Sequence, residues 1–312
     1  MEISKEARHE SPLAGALAGA CGSDAVHISE PMKEHTTFRI GGPADYFVTP
    51  HTAGEIRELS GIARQYGADV YIMGNGSNLL VSDQGIRGVV IRLGREFGAV
   101  RVEGTTIFAQ AGALLSGVAA AALEAELTGF EFAAGIPGTV GGACLMNAGA
   151  YGGEMKQVLK SVQVLTPQGE IKVRGPEEMG LSYRHSAFME DGSVILEAEI
   201  GLSKGKAEDI KAVMEDLKKR RQEKQPLDLP SAGSTFRRPE GYVAGKLIMD
   251  AGLAGLSCGG ARVSEKHCGF IVNTGGATAS DVKTLIEDVR SRVLDAYGVE
   301  LFPEIRFLGD FA

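Results

Sequence analysis

Residues 135–153 read G-I-P-G-T-V-G-G-A-C-L-M-N-A-G-A-Y-G-G, with seven glycines. Ordering so dense a glycine run costs backbone entropy, and the pattern shows no obvious structural return for it. Gly138-Thr139-Val140-Gly141-Gly142 follows Pro137, the pattern of a helix start whose N–H groups can face an anion. Small residues at 141–143 would let a flat ring or a pyrophosphate approach the main chain; an ordinary packed loop is the bland alternative. A second loop, G-N-G-S-N at Gly74–Asn78, follows the strand-like A-D-V-Y-I-M. Leu79 stands where a dinucleotide fingerprint needs its third glycine, and Leu-Leu-Val-Ser-Asp-Gln-Gly then reads as strand and turn, so a Rossmann motif is excluded. A tight turn of Gly, Asn and Ser can still aim successive N–H groups into one concavity. Alone, it reads more simply as a plain turn. Two such segments in one α/β region suggest a dinucleotide held at its pyrophosphate by backbone.

The surrounding composition narrows the class. The chain has 312 residues, 44% hydrophobic and 23% charged, with mean hydropathy at zero, which fits neither a disordered tail nor a membrane bundle. Its length suffices for two or three compact units. Forty acidic residues against 32 basic ones give a net charge of −8, the wrong sign for a nucleic-acid binder. One or two local Arg or Lys residues can still hold an anionic small molecule. Cys21, Cys144, Cys258 and Cys268 form no C-x-x-C pair and no histidine sits at ligand spacing, so no metal site and a reduced, cytoplasmic compartment are expected. The stretch ending at Cys21, L-A-G-A-L-A-G-A-C, faintly resembles an export signal. Its leader M-E-I-S-K-E-A-R-H-E mixes acids with bases, so residues 1–30 are read as an N-terminal helix or tail. No window approaches the roughly 20 apolar residues of a spanning helix.

Periodicity places the elements. Thr52 and Glu55 form a capping pair ahead of Ile56, Leu59, Ala63 and Tyr66, a helix stopped by Gly67. R-G-V-V-I-R-L is a strand, Ala113–Leu127 an alanine-rich helix, and S-V-Q-V-L-T-P-Q-G-E-I-K-V a hairpin. S-V-I-L-E-A-E-I-G-L adds a strand, and a boundary falls near Ser203–Lys206. Ile210, Val213, Met214 and Leu217 mark a helix ending before Pro226, whose run Lys218–Arg221 is either a binding patch or, more simply, a solvated face. Ser280 is read as the cap of a last helix with Val282, Leu285, Ile286, Val289 and Val293 on its apolar face, stopped by Gly298; L-F-P-E-I-R-F-L closes as a strand.

Three polar residues stand out. Arg184 lies between an aromatic and a histidine in Y-R-H-S, Ser234 follows Ala-Gly in a Pro- and Gly-rich turn, and Glu304 sits in an apolar strand where alternation gives it the same face as Arg306. Each alone has a structural explanation: a surface ion pair, a cap, a solvent-facing strand residue. Ser234 lacks the G-x-S-x-G frame of a hydrolase, and G-Y-V-A-G-K-L at Lys246 misses the P-loop by one residue.

Taken in order, T-T-F-R-I-G-G at Thr36, G-N-G-S-N-L-L-V at Gly74, G-I-P-G-T-V-G-G at Gly135, Y-R-H-S at Tyr183, G-S-T-F at Gly233 and P-E-I-R-F at Pro303 resemble the UDP-N-acetylenolpyruvoylglucosamine reductase family, over about Pro31 to Leu308. The resemblance implies an α+β protein: an FAD-binding fold of the vanillyl-alcohol oxidase type in two subdomains, 31–98 and 99–205, and a C-terminal substrate-binding domain, 206–312. It implies non-covalent FAD along Gly74, Asn75, Gly76, Ser77 and Asn78 and along Gly135, Ile136, Pro137, Gly138, Thr139 and Gly142. Arg184, Ser234 and Glu304 fall on the family's catalytic arginine, serine and glutamate; Tyr183 and Lys224 fall on substrate contacts. Only about fifty residues separate Arg184 from Ser234, as in the short type II variant without the tyrosine-bearing loop that closes over UDP. Arg238 replaces an Asn of longer relatives, and His267 is read as structural.

The implied reaction is peptidoglycan-precursor chemistry in the cytoplasm: NADPH reduces FAD, flavin N5 delivers hydride to the enolpyruvyl ether of UDP-N-acetylglucosamine, and Ser234 protonates the resulting carbanion. Arg184 and Glu304 would stabilise the charge that spreads into the carboxylate. The chain would act as a monomer with no membrane or nucleic-acid partner. Two alternatives are a flavin oxidoreductase of the same cofactor fold acting on an alcohol or sugar, and an idle nucleotide-binding module.

Overall fold

Apolar and polar residues alternate through Leu159–Leu165 and Val194–Gly201, and this period of two builds the larger sheet. The computed structural model describes residue 8 and residues 11–311. In it, Leu159–Leu165 pairs antiparallel with Ile171–Arg174 as the hairpin expected from the Pro-Gln-Gly turn, Val162 facing Arg174 and Leu165 facing Ile171. Gly169 takes φ 85° at that turn and its N–H reaches the Thr166 carbonyl at 2.9 Å. The five-stranded sheet runs Ile171–Arg174, Leu159–Leu165, Val194–Gly201, Thr106–Gln110, Val100–Glu103. Val162, Val164, Ala198, Ile200, Ile107 and Ala109 are buried from it.

Contacts divide the chain into two units. Of the described residues, the first comprises those to Ile28, Tyr46–Asn75 and Gly88–Arg221; the second comprises Ser29–Asp45, Gly76–Arg87 and those from Gln222 onward. The sheet just described belongs to the first. So does the helix Ala53–Gln65, which buries Ile56, Leu59 and Ala63. Thr52 caps it through Glu55 N–H at 3.1 Å, while the Glu55 carboxylate reaches back to His51 N–H at 2.7 Å. Val70–Met73 runs parallel to Val89–Arg92. Of the segment 1–30, residues 1–7, 9 and 10 lie outside the described residues; Pro12–Cys21 is a helix capped by Ser11. Ser203 and Lys204 pair with Thr128 and Leu127.

The second unit is organised around the helix Ala279–Tyr297, whose Val282, Leu285, Ile286, Val289 and Val293 are buried against Phe38, Ile40, Leu80 and Ile248. A three-stranded sheet, Ser257–Cys258, Ala261–Val263, Ile271–Asn273, packs with it, and Leu79–Val81 runs parallel to Arg306–Leu308. Among the described residues no helix is long and apolar enough to cross a membrane.

Three local readings are corrected by this structure. The last helix is capped by Thr278, not Ser280: Thr278 Oγ1 accepts from Asp281 N–H at 3.0 Å, and Ser280 instead gives its N–H and hydroxyl to Asp83. The helix read as Ala113–Leu127 is Leu115–Glu124, because Ala113 and Leu114 are drawn into an extended bridge with Thr139. Glu304 lies outside the closing strand, which starts at Arg306; Pro303 has no N–H to continue a ladder, and only an isolated bridge to Phe236 forms there.

A fourth correction concerns the glycines, several of which do have a structural return. A β-carbon on Gly74 would sit 2.1 Å from Thr139 Oγ1, and one on Gly141 2.9 Å from the Ala111 side chain. A β-carbon on Gly153 would enter the Phe132 ring at 2.5 Å. The two glycine segments therefore meet within the first unit. Asn75 Nδ2 donates to the Pro137 carbonyl at 2.7 Å, confirming the approach from the other side.

Gly74→Ala is expected to destabilise the protein by about 1–3 kcal/mol through overpacking. Adding Thr139→Ala, which removes the offending hydroxyl, should restore part of that loss; urea titrations of the single and double variants check it. Thr278→Ala should cost about 1 kcal/mol by the same measurement. The Asp281 carboxyl is held below its usual range first by the Thr278 N–H, against a smaller opposing effect of burial. Its contribution is then present above about pH 4, the unfolded value, and is lost as pH falls through the lower folded value. The melting-temperature difference between the parent and Asp281→Asn should shrink over that window.

Candidate active site

The backbone pairing around Thr139 decides where the second glycine segment directs its donors. Leu115 N–H bonds the Gly138 carbonyl at 3.1 Å and Val140 N–H bonds the Ala113 carbonyl at 2.8 Å, flanking the Leu114–Thr139 pair. In such a pair the N–H of the central residue points away from its partner strand. Among the described residues, none accepts from the backbone N–H of Gly138, Thr139, Gly142 or Asn75. Gly142 is exposed, and a β-carbon there would find nothing nearer than 3.8 Å. Small, open main chain with donors left over is what an anion with a flat-sided neighbour requires.

One cation lies beside this segment. Arg220, in the run read as a solvated face, pairs with Asp216 at 2.8 Å on the helix Ala207–Lys224. Arg221 behaves differently. Its Cδ and Nη1 come within 3.3 Å of where a β-carbon on Gly135 would be, and no carboxylate among the described residues pairs with it. Burial pushes its guanidinium below the ordinary value, with Tyr151 opposing. A half-buried guanidinium without an acid against open main chain suits the phosphates of a dinucleotide, so the residues present fit FAD. The periodicity that marks Arg221 as helical carries no sign of this, because its partner is a loop far earlier in the chain.

Arg184 and Tyr183 sit in the same unit on a tight turn, closed by reciprocal bonds between Ser182 and His185 at 3.1 and 3.2 Å. The Arg184 guanidinium carbon stands 5.2 Å from the Tyr183 ring centroid, and Arg184 has φ 55°, backbone that side-chain-bearing residues avoid. Buried Asn147 donates to the Ser182 carbonyl at 3.0 Å. Neither composition nor spacing singles out Asn147; only its position in the glycine run is visible in the sequence. Cys144, nearby in that run, is fully buried, which pushes its thiol up to about 12 and leaves it without nucleophilic character.

The second unit joins the other two candidates. Glu304 N–H donates to the Thr235 carbonyl at 2.7 Å, next to Ser234, and Arg237 N–H donates to the Phe302 carbonyl at 2.9 Å. Ser234 is exposed, between Gly233 at φ 77° and Thr235, whose N–H bonds the Gly269 carbonyl at 2.8 Å. Asn78 Nδ2 donates to the Glu304 carbonyl at 3.2 Å, so this residue of the first loop also fixes the glutamate's main chain. Gly76 packs on the His35 carbonyl, and Ser77 is half-buried. Lys224 is exposed at the last turn of its helix. His267 accepts from Gly269 N–H at 3.1 Å and meets Phe270 edge-on, a structural role; burial lowers its pKa. Among the described residues no three of His, Cys, Asp or Glu gather as metal ligands.

Comparison with known proteins places this arrangement. Residues 44–174 match the model of an FAD binding domain, and residues 225–308 match the UDP-N-acetylenolpyruvoylglucosamine reductase C-terminal domain. A UDP-N-acetylenolpyruvoylglucosamine reductase of Caldanaerobacter subterraneus subsp. tengcongensis is 55% identical over 91% of this chain and 94% of its own length. One from Agathobacter rectalis is 54% identical, covering 90% and 93%. The crystal structure of the Thermus caldophilus enzyme (MurB) superposes with a TM-score of 0.78 at 37% identity, over 91% of this chain and 98% of that one. With FAD-binding and C-terminal domains in that order and identity above half along nearly its full length, the chain belongs to the UDP-N-acetylenolpyruvoylglucosamine reductase family.

Proposed function

We propose that this protein reduces the enolpyruvyl ether of UDP-N-acetylglucosamine to UDP-N-acetylmuramate, with NADPH as reductant and FAD held non-covalently along Gly74–Asn78 and Gly135–Gly142. Residues 31–98 and 99–205 would be the two halves of the cofactor fold, and 206–312 the substrate domain. The observation that supports the reading most is the bond from Glu304 N–H to the Thr235 carbonyl, which joins the main chain of the proposed glutamate to that of the residue next to the proposed proton donor. The same reading makes the protein a cytoplasmic monomer without membrane or nucleic-acid partners.

Once bound there, FAD would supply the hydride for the terminal carbon of the enol ether, with NADPH as the source of its electrons. The remaining work falls to side chains. Charge building on the neighbouring carbon spreads into the substrate carboxylate, where Arg184 places a fixed positive charge that needs no reorganisation. Glu304 assists either as the protonated acid, donating to that carboxylate, or as a carboxylate that orients Arg184 against it, its own main chain fixed by Thr235 and Asn78. Ser234 gives its hydroxyl proton to the carbanion: the O–H bond breaks, a C–H bond forms on one face, and solvent reprotonates the exposed oxygen. A hydroxyl of ordinary acidity suffices because the acceptor carbon is far more basic. Asn75, Gly138, Thr139 and Gly142 hold the pyrophosphate through N–H groups, with Arg221 as counter-charge, and Tyr183 and Lys224 contact the substrate.

Ser234→Ala should retain bound flavin and bleach with NADPH at nearly the parental rate. Reoxidation by the enolpyruvyl sugar under anaerobic conditions should slow about 10²–10⁴-fold. Parental reoxidation would remove Ser234 from the mechanism. A colourless protein that leaves NADPH unconsumed would favour an idle binding module, and turnover with O₂ but not with the UDP sugar would favour an oxidase.

A further inference from the structure

The turn carrying Arg184 adopts a conformation that does not hold itself. Its φ of 55° lies in the left-handed region, which a residue with a β-carbon keeps only when its surroundings over-determine it. Two buried side chains outside the turn do so. Asn147, 0% exposed, donates from Nδ2 to the Ser182 carbonyl at 3.0 Å and to Glu154 Oε2 at 3.2 Å, while its Oδ1 accepts from Lys156 N–H at 2.9 Å. Every hydrogen-bonding direction of that amide that can reach a neighbour is oriented by these three partners, so it cannot flip without losing them. On the far side of the turn Ser186, also 0% exposed, donates its hydroxyl to the Leu145 carbonyl at 2.7 Å. Asn147 itself ends the helix Val140–Met146 in left-handed backbone at φ 43°. The helix that follows Thr139 therefore ends in the clamp that fixes Ser182.

We propose that Asn147 is a positioning residue for Arg184: through the Ser182 carbonyl it holds the turn that aims the guanidinium. The inference rests on the reading of Arg184 as the group facing the substrate carboxylate. A side chain displaced by an ångström loses much of the benefit of preorganised charge, whereas groups that serve only flavin reduction are untouched.

The test compares Asn147→Asp, which keeps the shape and the acceptor for Lys156 but has at most one acid proton where the amide gave two donors to Ser182 and Glu154, with Asn147→Gly, which tolerates the backbone and removes the amide. Both should hold flavin and be reduced by NADPH within about twofold of the parent, while reoxidation by the enolpyruvyl sugar slows about tenfold or more. Equilibrium affinity of the oxidised protein for the enolpyruvyl sugar should fall while affinity for UDP, which lacks the carboxylate, stays unchanged. In an Arg184→Ala background Asn147→Asp should change reoxidation less than about twofold further, because the two act as one unit. Ser186→Ala, which opens the other clamp, should show the same one-sided effect. Equal slowing of both half-reactions, no slowing, additive losses, or loss of flavin from both Asn147 variants would each overturn the assignment. Parental reoxidation by Arg184→Ala alone would instead refute the proposed role of Arg184, a separate failure.

Discussion

Two stretches of main chain can touch at Gly74 and Thr139 because residue 74 has no side chain. The Thr139 hydroxyl occupies the position that a β-carbon would need, and the Asn75 amide then reaches the Pro137 carbonyl. With that contact made, Leu114 and Thr139 pair, and the N–H groups of Gly138, Thr139 and Gly142 are left without acceptors within the described protein. Glycine here is required first by protein–protein approach, and the open donors are its by-product. The density of glycine is thus explained by packing at Gly74, Gly141 and Gly153 and by openness at Gly142.

The charge pattern follows the same division. A chain with a net charge of −8 repels a pyrophosphate at long range, yet salt screens that repulsion beyond roughly 8–10 Å. Locally the sign is different: half-buried Arg221 lies against Gly135 in the same glycine segment that leaves uncharged N–H groups open. The Arg220–Asp216 pair, one position away on the same helix, is solvent-exposed and contributes little. A single step along the helix, about 100° around its axis, thus separates a residue that balances surface charge from one that faces the loop.

Elements governed by neighbours a few positions away were legible in the sequence. The Thr52 cap, the Leu159–Arg174 hairpin and the helix Ala207–Lys224 lie where alternation, turn residues and periodicity put them. Features governed by distant partners were not. Thr278 outcompetes Ser280 as a cap because Asp83, far away in sequence, takes the Ser280 donors. Leu114 leaves its helix because Thr139 pairs with it, and Glu304 leaves its strand because Pro303 interrupts the ladder. The candidate residues Arg184, Ser234 and Glu304 stood out by their local context, and only the ordered motifs gave them roles; the buried amide of Asn147, which bonds the turn around Arg184, had no sequence signal beyond its place in the glycine run.

The parallel pairing of Leu79–Val81 with Arg306–Leu308 bears on the order in which the molecule can be assembled during translation. Asn78 and Glu304 are bonded across 226 positions, so the early strand leaves the ribosome long before its partner exists. Closing so long a span carries a large entropic penalty before any contact rewards it. Leu79–Val81 has no other strand in that sheet, so its ladder can close only after Arg306–Leu308 has been made.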